Sequence, residues 1–344
     1  MNDTPPRYNA GIQRSKGLLE IAAALYDTSL SRRSTRSGTR APQIDSRLGT
    51  NLALRIDRPR DSGADRGFEV SFAIGGSREN FLQVARKEVS LLWINPSAPL
   101  TQAYRGLPPF SDPLPLRAIA VFPSWDAVVV AVHRSTGITA IEQIRERRPA
   151  LRVSTGNPTE APFDEDPTMF AVGTMIAAAG FSLDDIRAWG GTVQSVPRPS
   201  HPDRAKLIEA GALDAIFDEG LLSWGQFALE RGFQILPIGG AMRARIEAAG
   251  YDVASLPKSR LPGLEQPVSA VDFSGWPMIV HADMPDELAY ALCEAIEARK
   301  LAIPTDNYRP LDLAQLCSSG AETPRGAPLH PGAERFYRER GYLR

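Results

Sequence analysis

Apolar and polar positions alternate from Phe68 to Ile74, in a run rich in strand formers, and this strand opens the unit around which the chain is organised. Gly75-Gly76 turn the chain, Ser77 stands where a helix N-cap belongs, and Asn80, Phe81, Val84 and Ala85 fit a short helix. The apolar run Val89 to Ile94 is the second strand, and a second helix closes the unit by Gly106. Two strands joined by so short a helix are expected to lie parallel, with a right-handed crossover. Ser77, Asn80, Asn95 and Ser97 then leave the carboxyl edge of the sheet, where ligands sit in open α/β folds.

The same patterning runs through the rest of the chain. Ser15 to Leu30 predicts an amphipathic helix with Leu18, Ala22, Leu25 and Tyr26 on one face, and Asn51 to Ile56 a strand. Leu116 to Phe122 and Ala127 to His133 predict strands, and the spacing of Thr139 and Glu142 reads as a capping box opening a helix to Arg147. From Leu151 a second βα series begins. Strands are expected at Leu151 to Thr155, Thr192 to Val196, Ala212 to Phe217 and Phe233 to Leu236, with helices between them, which predicts a second parallel, doubly wound sheet. Val268 to Phe273 and Pro277 to Val280 follow as strands, then a helix Pro285 to Lys300 capped by Asp283, and a closing helix Gly332 to Arg340.

At 344 residues the chain exceeds one core of ordinary size and is expected to form two lobes. The division predicted is an N-terminal helix and flexible basic segment (1–47), a discontinuous first lobe (48–136 plus 268–344) and a second lobe (137–267). A net charge of −1 offers no field for nucleic acid or an anionic membrane. The four arginines between Ser31 and Arg40 read as a basic patch or as a solvated loop. No stretch reaches the ~18–20 consecutive apolar residues of a membrane span. The apolar piece Leu18 to Leu25 is short, carries Glu20 and lacks a cleavage site. A cytoplasmic location is therefore expected of the chain as it stands, and a periplasmic one if its true start lies upstream.

Chemistry is sparse. The backbone of Ser154-Thr155-Gly156-Asn157, after the first strand of the second lobe, reads as an anion-binding nest. Asp218 and Glu219 end another strand, and recognition of a ligand amine, capping of the next helix and acid–base work are all open to them. Ser77 and Asn80 read as an anion site or as plain capping, Asn95 and Ser97 as ligand contacts or an Asx turn before Pro96. Trp125, Trp224 and Trp276 read as pocket walls or core. Histidines 133, 201, 281 and 330 do not approach a metal-ligand spacing, so neither metal nor cofactor is expected, and His330 reads as a latch for the C-terminus. Cys293 and Cys317 are expected to be buried thiols rather than a disulfide. No paired nucleophile and base is visible, so no catalytic residue is assigned.

Gly75 to Ser97 (GGSRENFLQVARKEVSLLWINPS), Asp214-Ala215-Ile216-Phe217 after Gly211, and Pro328 to Tyr337 (PLHPGAERFY) carry a resemblance when taken in this order and spacing. From about Phe68 to Leu343 the sequence resembles the TAXI family of solute-binding proteins, the receptor subunits of TRAP transporters. The resemblance implies a two-lobed type II periplasmic-binding-protein fold, each lobe an open doubly wound α/β sheet, with a ligand cleft between them that closes on a hinge. It implies contacts at Ser77, Asn80 and the Ser154-Thr155-Gly156 loop, a small carboxylate-type ligand, and TRAP-type membrane subunits as partners. The family's first ligand loop, rich in Gly and paired Tyr, has no counterpart; Arg14-Ser15-Lys16-Gly17 occupies its place in order. On the same fold, a cytosolic decarboxylase or isomerase using Asp218 or Glu219, and a ligand-sensing module, are the alternatives.

Overall fold

The computed structural model describes residues 10–31, 43–44, 54–57, 69–156, 166–304 and 310–344. The arginine-rich stretch 32–40, the polar turn 58–67 and loop residues 157–165 lie outside them. Helix α1 (Ala10–Ser31) is followed by strands β1 (Gln43–Ile44) and β2 (Leu54–Asp57). Next come β3 (Glu69–Gly75), α2 (Arg78–Ala85), β4 (Leu91–Ile94) and α3 (Ala98–Arg105). β3 and β4 pair in parallel, with Gly75 opposite Ile94 at their carboxyl ends, as the short connecting helix requires. Two apolar runs then form β5 (Leu116–Phe122) and β6 (Ala127–His133).

Helix α4 (Glu142–Arg147) carries a shifted box: the Thr139 N–H donates to Gln143 Oε1 (3.0 Å) and Gln143 Nε2 donates back to Thr139 Oγ1 (3.3 Å), so Gln143 and not Glu142 is the partner. After β7 (Arg152–Thr155), helix α5 (Pro167–Ala178) begins as its sequence dictates. Asp166 accepts from the Met169 N–H (3.0 Å), Pro167 fills the first helical position, and Gly180 at φ +86° ends the run. The series continues as α6 (Leu183–Ala188), β8 (Thr192–Ser195), α7 (Pro202–Glu209), β9 (Ala215–Asp218) and α8 (Leu221–Glu230). β10 (Phe233–Ile235), α9 (Gly240–Ala248), β11 (Val253–Leu256) and β12 (Val268–Asp272) complete it. Last come β13 (Trp276–His281), α10 (Asp286–Ala298), α11 (Leu313–Cys317) and α12 (Pro331–Glu339). Asp283 does not cap α10; Pro285 stands at its N-cap and the Asp283 carboxylate pairs with Lys87 (3.0 Å).

The chain divides into two compact units. One takes the residues up to Tyr104, Pro113–Trp125 and Gly275–Arg344; the other takes Arg105–Asp112 and Asp126–Ser274. The first sheet has the order β1-β2-β3-β4-β13-β5. Its central strand β4 is buried along its whole length, so helices cover both faces. On one face α1, α10 and α12 bring Leu18, Ile21, Leu292, Ile296 and Phe336 against Phe72, Trp93 and Ala120. The Trp93 indole N–H donates to the Trp276 carbonyl (3.1 Å), and both tryptophans are core. Cys293 and Cys317 are free, buried thiols in the same core.

The C-terminal tail is built into this unit. Leu329 forms a parallel bridge to Ala118, with Ala118 N–H donating to Pro328 O (2.9 Å) and His330 N–H to Ala118 O (2.8 Å). The buried His330 ring caps α12, its Nδ1 accepting from the Gly332 N–H (3.2 Å), and burial holds its pKa below the usual histidine value. At Gly332 the helix lies so close to α10 that a Cβ would come within 2.1 Å of the Asp286 carbonyl oxygen.

The second sheet has the order β11-β12-β6-β9-β7-β8, with β10 also on β6. It is mixed rather than parallel. β7 runs parallel to β8 and β9, whereas β6 is antiparallel to β9, β10 and β12. β6 enters directly from one crossing between the units and β12 leads to the next, so neither is laid down by a strand–helix–strand step that would force it parallel. With β6 and β12 in its sheet, this unit takes in residues on both sides of the 137–267 span. Ala127 to Val132 and all of β9 are buried, so this sheet too is covered on both faces.

Candidate functional site

In the first unit, the carboxyl ends of β3 and β4 bring Ser77, Asn80, Asn95 and Ser97 to one edge. Asn95 is tied to it by its N–H, which donates to Gly75 O (3.3 Å), and Ser97 is buried at the start of α3. Ser77 caps α2 in a reciprocal box with Asn80. The Asn80 Oδ1 accepts from the N–H groups of Gly76 (3.1 Å) and Ser77 (3.2 Å) and from the Ser77 hydroxyl (3.0 Å). These are the donors an anion at this turn would need, and a buried carboxamide of the chain itself holds them.

In the second unit, Thr155 pairs with Phe217 across β7 and β9, so Gly156 and Glu219 emerge from one carboxyl edge. Ser154 and Thr155 do not face outward. Both are fully buried; the Ser154 hydroxyl accepts from Arg204 Nε (3.2 Å), and the Thr155 hydroxyl donates to Phe217 O (2.7 Å). A Cβ at Gly156 would stand 3.2 Å from Met169 Sδ and 3.8 Å from Asp218 Oδ1, so the loop passes close over the strand end.

Asp218 and Glu219 point apart, as adjacent residues at a strand end do. The Asp218 carboxylate is buried against the Arg204 guanidinium, and its Oδ1 accepts from the Glu219 N–H (2.8 Å). Arg204 also donates to Pro199 O (3.3 Å) and lies over the Trp224 ring, 5.7 Å from its centroid. Burial pushes the Asp218 carboxyl up in pKa, against the pull of Arg204. Glu219 is half-buried and hydrogen-bonded to Thr168; burial first, then the charges of Asp126, Asp218 and Asp166, push its carboxyl well above the ordinary glutamate value. The carboxylates of Asp126 and Asp166, whose charges reach Glu219, each cap a helix. Among the described residues no group of His, Cys, Asp and Glu has the arrangement of a metal site.

Arg204, Asp126 and Asp166 were not singled out by the sequence. Asp166 before Pro167 carries a capping signal, but Arg204 sits in a polar helix stretch and Asp126 at the end of a turn, where solvent is the ordinary expectation.

The model of the NMT1-like family matches residues 48–341. The chain belongs to that family. Three solved structures to which this NMT1-like chain is similar are distant from it in sequence. The L-cystine solute receptor of Neisseria gonorrhoeae, in its unliganded open conformation, is 13% identical with a TM-score of 0.25, the match covering 64% of this chain and 65% of that one. The periplasmic aliphatic sulphonate binding protein SsuA from Escherichia coli is 12% identical with a TM-score of 0.30, covering 64% and 60%. A methylphosphonate complex of PhnD1 from Prochlorococcus marinus is 9% identical with a TM-score of 0.36, covering 77% and 83%. The chain spans less than two thirds of the length of the first two. Its fold, two α/β units exchanging segments in the manner of a type II periplasmic binding protein, rests on its own two sheets and their crossings.

Proposed function

We propose that this NMT1-like protein is a solute receptor that binds a small carboxylate-bearing metabolite and releases it unchanged, as a TAXI-type receptor serving TRAP-type membrane subunits. Glu219 is the observation that carries this reading: a half-buried carboxyl, raised in pKa, at the carboxyl edge of a parallel strand pair. A protonated carboxyl donates a hydrogen bond to a carboxylate that an ionised one would repel. Gly156 shares that edge, and Ser77, Asn95 and Ser97 share the corresponding edge of the other unit. The Ser154 and Thr155 hydroxyls are occupied in structural bonds, which leaves no activated nucleophile among them.

A second reading, acid–base turnover at Glu219, is favoured by the same raised pKa. A panel of mono- and dicarboxylates, screened by thermal shift and followed by mass spectrometry of the recovered ligand, separates the two. A carboxylate at 100 times its Kd is expected to add about 2.7 kcal/mol of stability and to be recovered intact. Tight binding of a neutral sugar instead, or steady conversion of an acid that Glu219→Gln abolishes, overturns the receptor reading.

A further inference from the structure

Asp126 is the first residue of the second unit after the crossing at Trp125, and Ser274 is the last residue of that unit before the crossing at Gly275. The two ends are laced together. Asp126 N–H donates to Ser274 Oγ (3.2 Å), and the Asp126 carbonyl accepts from the Ser274 hydroxyl (3.2 Å) and from Phe273 N–H (3.1 Å). The side chain of the same Asp126 reaches the loop that carries Glu219. Its carboxylate accepts from Gly220 N–H (3.1 Å to each oxygen) and from Leu221 N–H (3.2 Å), and is steadied by Ala127 N–H (2.8 Å).

Helix α8 needs this. Its N-cap is Gly220 at φ +67°, which has no side chain to satisfy the first orphan N–H groups. Nor could a local Ser or Asp stand there, because a Cβ at Gly220 would lie 2.4 Å from Pro199 Cβ. Here the cap comes from a residue 94 positions earlier in the chain, whose own backbone is fixed to the other crossing segment. Trp224 Nε1 donates to Glu219 O (2.7 Å) and holds the same loop at a second point.

We infer that Asp126 is a positioning residue that couples the backbone of the paired crossings to the Glu219–Leu221 loop. The inference rests on the receptor reading only for the role of that loop in binding. A rearrangement at Asp126 and Ser274 moves the acceptor on which Gly220 and Leu221 depend, and by linkage a ligand that orders the loop biases the crossing. A residue that merely capped α8 would have no such dependence on Ser274.

The test is a double-substitution cycle on the full chain without ligand, read by amide exchange at Gly220 and Leu221 and by the Trp224 indole resonance. Ser274→Ala is expected to speed exchange of both amides roughly 3- to 10-fold and to shift the Trp224 indole signal. In an Asp126→Ala background, exchange is already fast and Ser274→Ala adds less than about twofold. Asp126→Asn, which keeps a carbonyl acceptor, restores part of the protection and part of the response, and serves as the background if Asp126→Ala fails to fold. Unchanged exchange in Ser274→Ala, or equal increments in all backgrounds, overturns the inference. Because no ligand is added, such a failure leaves the receptor reading untouched.

Discussion

The guanidinium of Arg204 and the carboxylate of Asp218 pair with neither side chain reaching solvent, 1% and 0% exposed. The remaining Asp218 oxygen accepts from the Glu219 N–H and so ties the pair to the Glu219 loop. Removing one partner leaves the other charge buried without compensation, which costs about 3–5 kcal/mol. Arg204→Ala is therefore expected to lower the stability of the second unit by that amount, read as a fall in its urea midpoint. A loss below about 1 kcal/mol would mean that the pair is hydrated in solution.

Glu219→Gln tests the proton on the cluster. The folded-state pKa of Glu219 is raised, so its stabilising contribution is fully present below the ordinary glutamate pKa and is lost as pH rises through the folded value. Glutamine does not ionise and does not lose it. The Tm of Glu219→Gln minus that of the parent should be near zero below the ordinary glutamate pKa and grow more positive as pH rises above it. A difference that does not change with pH would show that Glu219 stays hydrated and ionised.

At the first unit's strand ends, Asn80 holds the turn more than Ser77 does. Asn80→Ala removes the acceptor for three donors and is expected to cost about 2 kcal/mol, against about 1 kcal/mol for Ser77→Ala. Asn80→Asp keeps that acceptor and should recover most of the loss. Chemical denaturation of the three variants orders them; equal losses for Ser77→Ala and Asn80→Ala would contradict the geometry.

The tail from Leu329 is structural. Ending the chain after Ala327 removes the bridge to Ala118 and the buried Phe336 and Tyr337, and should abolish cooperative melting of the first unit. Phe336→Ala alone is expected to cost about 3–5 kcal/mol. Gly332→Ala is a sharper probe, because its Cβ would meet the α10 backbone rather than a side chain that could turn away. A soluble truncation that melts cooperatively would refute this.

Much of the fold was legible because local rules and tertiary packing agree. The strand–turn–cap–helix run from Glu69 to Ala85, Pro167 opening α5 and the Ser182–Asp185 box all follow from residues adjacent in sequence. What the sequence did not disclose depends on long-range pairing. The antiparallel setting of β6 comes from the crossings, and β11 is set by its antiparallel pairing with β12. At the candidate site, the placement of Asp218 and Glu219 at a strand end was readable. The inward turn of Ser154 and Thr155 was not, since it is set by Arg204 and by the neighbouring strand.

The bridge between Leu329 and Ala118 has a consequence for how the chain is made. Every residue of the second unit lies between Arg105 and Ser274, whereas the first unit also needs β13, α10 and a helix that ends at Glu339. During synthesis the second unit is complete before α10 and α12, which cover the first sheet, have been made, and β13, the strand between β4 and β5, follows directly after it. The unit that begins first is thus finished last. Strands β3, β4 and β5 gain β13 and the cover of α10 and α12 only after the whole of the second unit has been made.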